Sequence, residues 1–329
     1  MDEKHLDLLV CPRCHAPLKI LSEVQGNDGT ALLVCITNSH AYPVTRGIPR
    51  FVESGNYADS FGFQWKKFSR VQLDSYNGTG FSEERFRLIT GWTQAELMDK
   101  LVLDAGCGAG RFAEVAIKYG ANLVAFDLSE AVEACQENLV PNEPLICQAS
   151  IYELPFHPGQ FDFVYSIGVV QHTPDPKGTI RALSRMVKPG GKIGLWIYER
   201  DLKSYVGTLG FKYALRPILR RLSREHQYAV SSAMVNLFFP IASFCKQLGL
   251  LGKTIMRLLP IASAHLQSVS LSIEDFKTWI LLDTFDMYSP AYDKPATYAA
   301  VTRVLAEENF VNIQRHPHGG IAITATRRV

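Results

Sequence analysis

Three glycines at alternating positions, preceded by an acidic residue, form the motif with the clearest chemistry in this chain. Gly106, Gly108 and Gly110 follow a short apolar run that ends in Asp104. Glycine permits a tight turn and lets a ligand approach the backbone, and amides at the start of a following helix can meet ligand oxygens. Asp127 ends the next apolar run, about twenty residues on, where an acid can hold ribose hydroxyls. The pattern predicts a site for a nucleoside-containing cofactor.

His172 is the candidate catalytic residue. It follows the strand predicted for residues 161–166, so we expect it at the carboxyl end of a sheet, where open α/β folds bind ligands. A histidine pKa suits the removal of a proton from a hydroxyl. In the alternative interpretation, His172 hydrogen-bonds the backbone and orders the turn over residues 173–176.

Polar and aromatic side chains alternate over residues 283–290, where Asp286 and Tyr288 are candidates for contact with an acceptor molecule. The alternative for this stretch is a loop that closes onto the sheet.

Arg85 and Arg87 can meet an acidic group, although exposed arginines are usually solvated.

An aromatic and amide-rich segment over residues 61–65 precedes the first strand of the predicted sheet. Gln64 and its aromatic neighbours suit a segment that folds over a bound cofactor. The alternative is a linker helix that packs Phe61, Trp65 and Phe68 into a groove.

Four residues near the N-terminus have the types and spacing of a zinc site: Cys11, Cys14, Cys35 and His40. A head of about fifty residues has little core, so a metal would supply much of its folding energy. Four protein ligands leave no open position, which indicates a structural role. The alternative is a metal-free ribbon held by apolar residues, namely Tyr42, Val44, Ile48 and Phe51.

Strand and helix patterns alternate between residues 85 and 198, which predicts a parallel sheet covered on both faces. Strands are expected at 101–104, 122–127, 145–148, 161–166 and 192–198, with helices at 111–119, 129–139, 176–187 and 296–308 and a hairpin of 311–315 with 321–326. We predict a head over 1–53, a cofactor-covering helical segment over 54–100, a cofactor-binding core over 101–199, a helical acceptor-pocket or lid insertion over 200–294, and the end of the sheet over 295–329.

The composition is that of an ordinary globular protein, with 329 residues, 47% of them hydrophobic, and a net charge of +2. This charge makes no case for whole-molecule binding to nucleic acid. We expect no apolar run long enough to span a bilayer, no signal peptide, and a cytoplasmic location. Four arginines are expected near one face of a helix: Arg216, Arg220, Arg221 and Arg224. Together with the apolar stretches 233–243 and 248–263, they either touch a membrane surface or form a lid with a solvated basic face.

The glycine motif resembles that of the class I S-adenosylmethionine (SAM) methyltransferases, together with the stretches 125–129, 148–156, 161–166 and 187–191. The resemblance implies a Rossmann-like seven-stranded sheet whose last strand is antiparallel. It implies that the loop from Asp104 to Gly110 faces the methionine part of SAM and that Asp127 holds the ribose. The residues it places around the adenine and beside the site are Leu128, Ser150, Ile151 and Ser166. The family often has Asp where this chain has Ser150, which puts adenine recognition in doubt.

The head, through residues 9–14 and 41–49, resembles the zinc-ribbon-like tRNA methyltransferase activator proteins. Those proteins often carry a fourth cysteine where this chain has Asn38, so His40 would have to replace it.

The whole sequence predicts a SAM-dependent methyltransferase acting on a small biosynthetic acceptor, such as a sugar or metabolite hydroxyl. The alternatives are a tRNA or rRNA methyltransferase, and a non-catalytic binding or activator module that docks through the head.

Overall fold

Two sheets organise the protein, whose computed structural model describes residues 3–21, 31–53, 55–200, 208–262 and 270–329. The smaller sheet is antiparallel and follows a short helix α1 (Glu3–Leu6). Its strands lie in the order β1-β2-β3-β4: β1 (Leu18–Leu21), β2 (Ala31–Cys35), β3 (Ala41–Thr45) and β4 (Ile48–Pro49).

The larger sheet has seven strands in the order β10-β11-β9-β8-β5-β6-β7. Five of them, β5 to β9, are parallel, and β11 is antiparallel to both of its neighbours. The predicted fold class is therefore confirmed. The strands are β5 (Leu101–Ala105), β6 (Asn122–Asp127), β7 (Leu145–Gln148), β8 (Phe161–Ile167), β9 (Val187–Ile197), β10 (Phe310–Arg315) and β11 (Ile321–Arg327).

Helices cover both faces of this sheet and form a further layer beside its carboxyl edge. Those before the sheet are α2 (Asp59–Lys67), α3 (Asp74–Asn77), α4 (Phe81–Thr90) and α5 (Gln94–Leu97). Those within and after it are α6 (Arg111–Lys118), α7 (Ala131–Leu139), α8 (Pro176–Met186), α9 (Thr208–Leu219), α10 (Arg224–Lys246), α11 (Gly249–Met256), α12 (Ile273–Tyr288) and α13 (Tyr298–Glu307).

The predicted strands agree closely with the observed ones because each is a continuous apolar run bounded by polar or glycine residues. All four residues of β7 are buried, as expected for a strand with helices on both faces. The one large difference is β9, which begins at Val187 instead of residue 192.

The small sheet is attached to the edge of the large sheet. The amide of Val10 donates to the carbonyl of Pro155 at 2.9 Å, and the amide of Phe51 donates to the carbonyl of Gln148 at 2.8 Å. Arg50 donates to the Gln148 side chain at 2.9 Å. Buried residues of both sheets share one core, so the head packs against the sheet of its own chain.

Two expectations for the helical region are wrong. Residues 283–288, expected as a closing loop, form the last turns of α12. The four arginines do not share one helix, because α9 ends at Leu219 and α10 begins at Arg224. Residues 22–30, 201–207 and 263–269, which fall within the predicted head and helical insertion, lie outside the described residues.

Within the described ranges, α10 is long and apolar enough to cross a membrane by length and composition alone. Its mean hydropathy reaches 1.4 over 18 residues, and 22% of that window is buried. The expectation that no apolar run is long enough missed this helix, because uncharged Ser and Asn residues interrupt its apolar stretch.

Candidate active site

A cavity of about 940 Å³ opens at the carboxyl ends of β5, β6 and β8. Parallel strands flank β5 on both sides, and such a position is where open α/β sheets bind ligands. The volume lies near the upper end of the range for small-molecule sites. One end is lined by the glycine loop and β6, and the other by α12, β9 and α9.

The glycine loop closes the floor of the cavity, and its backbone requires glycine. Gly106, Gly108 and Gly110 have φ of +85°, +53° and +92°, a region that side chains disfavour. A Cβ on Gly106 would lie 2.5 Å from a methyl of Val169, and one on Gly108 would lie 3.0 Å from the indole of Trp65. The loop is therefore a cradle that added side chains would fill.

Asp127 lies beside this loop at the end of β6. Its Oδ2 accepts from the amide of Gly108 at 3.0 Å, and its Oδ1 accepts from the amide and hydroxyl of Ser129 at 2.8 and 2.7 Å. Burial raises the pKa of Asp127. Leu128 and Ile151 line the cavity next to it, so an apolar slot adjoins a fixed carboxylate.

Helix α2 covers the cavity and brings Gln64 into its wall. Gln64 is 2% exposed, and its Oε1 has no hydrogen-bond partner among the described residues. Phe61 and Trp65 line the cavity from the same helix. Because buried polar atoms are normally hydrogen-bonded, the amide oxygen marks a position for a ligand donor.

Two arginines form a cationic part of the wall. Arg85 stacks over the Trp196 ring, 4.5 Å from its centroid, and its Nε is buried. Arg111 donates from Nε to the hydroxyl of Ser82 at 2.9 Å. Burial lowers the pKa of Arg111 to about 9, so it remains charged at neutral pH. The expectation of a solvated Arg85 is wrong, because α4 turns this residue towards β9 and the cavity.

A buried ion pair contributes a further cation to the wall. Lys212 Nζ lies 2.7 Å from Oδ2 of Asp293, and the two side chains are 4% and 1% exposed. Asp286 lines the cavity nearby. Burial, assisted by the charge of Asp283, raises the pKa of Asp286 to about 7. A carboxyl group with this pKa can both hold and release a proton near neutral pH.

His172 lies in a short 3₁₀ turn after β8 and lines the cavity. Its Nδ1 lies 2.9 Å from the carbonyl of Tyr292. A carbonyl only accepts, so the proton is on Nδ1 and Nε2 carries the free lone pair. The rings of Phe61 and Tyr198 each lie 5.4 Å from the imidazole. Burial lowers the pKa of His172 to about 4, so the imidazole is neutral.

The cavity brings together seven of the eleven predicted cofactor and catalytic residues: Gln64, Gly106, Gly108, Asp127, Leu128, Ile151 and His172. Asp104 of β5 and Gly110 of the glycine loop are not among the residues that line the cavity, and burial raises the pKa of Asp104 to about 8. Ser150 accepts from the amide of Tyr152, and Ser166 is fully buried and donates to the carbonyl of Ala105 at 2.9 Å. The roles assigned to these residues stay predictions.

Sequence reasoning missed Arg111, Lys212 and Asp293. Arg111 follows Gly110 directly, and that position after a cofactor loop was the one available signal. The Lys212–Asp293 pair joins α9 to the segment before α13, and no local pattern indicates such a contact.

The four predicted metal ligands form a separate cluster in the head. Their ligand atoms all lie within 4.8 Å of one another. Cys11 Sγ is 3.2 Å from His40 Nδ1, and Cys14 Sγ is 3.4 Å from Cys35 Sγ. Zn–S bonds of about 2.3 Å and Zn–N bonds of about 2.0 Å in a tetrahedron separate ligand atoms by about 3.3–3.8 Å. The cluster therefore has the size and donor set of a zinc site.

Comparison with known families agrees with this geometry. Residues 103–195 match the family described as a methyltransferase domain, and residues 2–47 match the Trm112p-like protein family. The chain carries a class I methyltransferase domain preceded by a Trm112p-like domain. The predicted family resemblance is confirmed for both parts.

Curated relatives match part of this chain. The ubiquinone biosynthesis O-methyltransferase of Thiobacillus denitrificans is 34% identical over 142 residues, which are 42% of this chain and 60% of that protein. The enzyme of the same name from Aromatoleum aromaticum is 33% identical over 163 residues, 47% of this chain and 66% of that protein. The chain thus spans less than two thirds of the length of these relatives.

Solved structures to which this chain is similar include magnesium protoporphyrin IX methyltransferase from Synechocystis PCC 6803 with bound SAH. It has 17% identity and a TM-score of 0.43, and the match covers 82% of this chain and 96% of that one. Another is a complex of the Haloferax volcanii Trm112 methyltransferase activator with a methyltransferase, at 21% identity, a TM-score of 0.35, and coverage of 43% and 62%.

Proposed function

We propose that this protein is a SAM-dependent methyltransferase that methylates a hydroxyl of a small-molecule acceptor. The observation that carries the proposal is the single cavity that joins the glycine loop and Asp127 to a wall of buried charged groups. The first end suits a nucleoside cofactor, and the second suits a polar acceptor. The O-methyltransferase names of the relatives support oxygen as the methylated atom.

The residues at the first end fit SAM. The glycine cradle accepts a ligand close to the backbone, and Oδ2 of Asp127 retains a lone pair for a ribose hydroxyl. Leu128 and Ile151 offer apolar surface for the adenine. The unpartnered Oε1 of Gln64 suits a hydrogen-bond donor of the cofactor or acceptor. When bound, SAM supplies an electrophilic methyl group on a sulfonium, so the protein has to position and deprotonate the acceptor.

Two groups in the wall can handle the proton of an acceptor hydroxyl. Asp286 has a pKa of about 7, which is close to the optimum for a base at neutral pH. His172 has a free Nε2 but a pKa of about 4, so it is a weak base. We therefore assign proton removal to Asp286 and orientation of the hydroxyl to His172. The direct use of His172 as the base remains the alternative.

The buried cations complete this picture. Arg85, Arg111 and Lys212 line the cavity together with Asp283 and Asp286, and Asp293 pairs with Lys212. Cations at this end of the cavity stabilise the alkoxide or phenolate that forms when the hydroxyl loses its proton to Asp286. Helix α2 and its aromatic residues keep water from the reacting atoms.

The Trm112p-like match favours a second candidate, in which the protein acts on tRNA or rRNA or serves as an activator that docks a partner through its head. The backbone contacts of Val10 and Phe51 with the methyltransferase sheet weigh against it. The head already covers the edge of β7 within its own chain, so that surface is not available to a separate partner. We propose that the head acts within the chain as a structural cover.

We further propose a structural zinc ion in the head, held by Cys11, Cys14, Cys35 and His40. The ligand spacing supports the assignment, as does the amide of Asn38, which donates to Cys35 Sγ at 3.4 Å. Such N–H···S bonds orient ligating thiolates.

Calorimetric titration with SAM and with S-adenosylhomocysteine tests the enzyme assignment, and both are expected to bind. Transfer of a tritiated methyl group is then measured with a metabolite fraction and an RNA fraction of the same lysate. Label in a small molecule supports the proposal, whereas label in RNA supports the second candidate. Absence of binding to both cofactor forms would refute an enzymatic role.

A further inference from the structure

The exposed surface of the α10–α11 hairpin is unusually apolar. Leu237, Ile241 and Phe244 lie one helical turn apart on one face of α10 and are 70%, 44% and 62% exposed. On and after α11, Leu250, Leu251 and Leu258 are 85%, 63% and 58% exposed. We call these six side chains the α10–α11 face. Large apolar side chains exposed together on neighbouring helices are the usual composition of a surface that binds something.

The opposite side of the hairpin is anchored in the protein. Val235, Ala242 and Cys245 of α10 are buried in a core with Phe276 and Trp279 of α12. The helices α10 and α11 also approach closely, since a Cβ on Gly252 would lie 1.7 Å from the carbonyl oxygen of Cys245. A helix held on one side by a folded domain can lie along a surface with its free side exposed.

Positive charge is concentrated in the same segment. Residues 208–262 contain eight Lys and Arg residues and one acidic residue, Glu225, although the whole chain has a net charge of only +2. Arg220 and Arg221 lie before α10, Lys253 lies within α11 and Arg257 directly follows it, and all four side chains are exposed. No Asp, Glu, Lys or Arg occurs between Glu225 and Lys246. An apolar face with cationic ends is the pattern of a helix that lies in the interface of an anionic bilayer.

The cavity lies next to this surface, because Lys253 and Arg257 line it. We propose that the α10–α11 face docks this protein onto an anionic lipid bilayer, with the hairpin lying in the interface. A second copy of the chain is a poorer occupant, since two segments of the same positive charge would repel each other. Under the proposed function, docking sets the acceptor cavity beside the bilayer; the docking itself does not depend on methyl transfer.

Vesicle flotation of the full chain tests the proposal. The protein is expected to float with vesicles of phosphatidylcholine and phosphatidylglycerol in equal amounts, and to bind phosphatidylcholine vesicles far less. The triple variant Leu237→Ser, Phe244→Ser, Leu251→Ser should bind at least about tenfold more weakly, since three apolar side chains lose their transfer into the interface. Arg220→Glu with Arg221→Glu should also weaken binding, and so should added salt.

The matched control replaces two equally exposed apolar residues elsewhere, Tyr76→Ser and Val140→Ser, which are 57% and 60% exposed in the parent. It should float like the parent. Binding of S-adenosylhomocysteine is expected to be unchanged in the triple variant, so a failure of docking is read separately from a failure of the proposed function.

Three outcomes would overturn docking. In the first, the parent fails to float with anionic vesicles; in the second, the triple variant floats as well as the parent. In the third, sedimentation velocity shows a dimer that the triple variant dissociates, without any vesicle binding, and the face is then a contact between copies.

Discussion

The amide of Gly108 donates a hydrogen bond to Oδ2 of Asp127 at 3.0 Å, which ties the glycine loop to the end of the neighbouring strand. The other oxygen of that carboxylate is fixed by Ser129. Oδ1 accepts two hydrogen bonds and Oδ2 accepts one, so the carboxylate is held in place and Oδ2 can still accept from a ligand. The two sequence motifs therefore form one preorganised unit.

Asp127→Ala is expected to weaken binding of S-adenosylhomocysteine by about 1.5–3 kcal/mol, the range for losing a hydrogen bond to a charged group. Part of the loss comes from the ribose and part from a less ordered loop at Gly108. Calorimetric titration measures the affinity. Glu137→Ala, an exposed carboxylate on α7, is the control and should leave the affinity unchanged. An unaltered affinity in Asp127→Ala would contradict its role.

Gly106→Ala should destabilise the fold and abolish cofactor binding. The new methyl group meets two strains, a φ of +85° and a distance of 2.5 Å to Val169. Gly55 provides a control for the backbone strain alone, because it has a φ of +83° but no atom within 4 Å of an added Cβ. Gly55→Ala is expected to cost only the backbone strain, about 1–2 kcal/mol. Thermal unfolding of both variants measures the difference, and equal losses would show that the contact with Val169 is unimportant.

Much of the fold could be predicted from the sequence because each strand and helix is specified by residues within its own segment. The strand at 145–148 is a buried apolar run, and α8 starts at Pro176 after Asp175, whose side chain caps it. The glycine loop could be predicted for the same reason, since a turn with positive φ is specified by its own residues.

The end of the cavity lined by α9, β9 and α12 could not be predicted, because contacts between residues far apart in the sequence form it. The mixture of polar and aromatic residues at 283–288 is compatible with a loop, yet the stretch is helical. In α12, Asp283 and Asp286 line the same cavity as Arg85, Arg111 and Lys212. The pairing of Lys212 with Asp293 depends on how the helical region folds over the sheet. Periodicity within one segment carries no information about such a contact.

The buried imidazole of His172 predicts a pH dependence of stability. Its pKa falls from an unfolded value near 6.5 to about 4 in the fold, so the unfolded state binds more protons between these values. Stability is therefore complete above pH ~6.5 and is lost as the pH falls towards 4, by up to about 3 kcal/mol from this residue. Urea unfolding at pH 5 and pH 7 should show a smaller difference in His172→Gln than in the parent. An identical difference would mean that His172 is not the group that titrates.

The cysteine cluster predicts one bound zinc per chain, which elemental analysis of the purified protein measures. His40→Ala should lose most of the metal and lower the melting temperature, because the head then lacks its fourth ligand. Asn38→Ala is the matched control; it keeps the backbone amide that reaches Cys35 Sγ and should keep the zinc. If Asn38→Ala loses the metal and His40→Ala retains it, His40 is not the fourth ligand.

Asp286 predicts the pH profile of catalysis. The carboxylate has to be ionised to take the acceptor proton, so kcat should rise through pH ~7, the pKa that burial and Asp283 give it. Asp286→Asn should lower kcat by about 10²–10⁴-fold and remove this rise. Asp283→Asn is the informative companion: without the charge of Asp283, the pKa of Asp286 falls and the rise moves to lower pH. If His172 is the base, Asp286→Asn retains activity while His172→Gln loses it. Steady-state kinetics with the acceptor found by methyl labelling decide between the two residues.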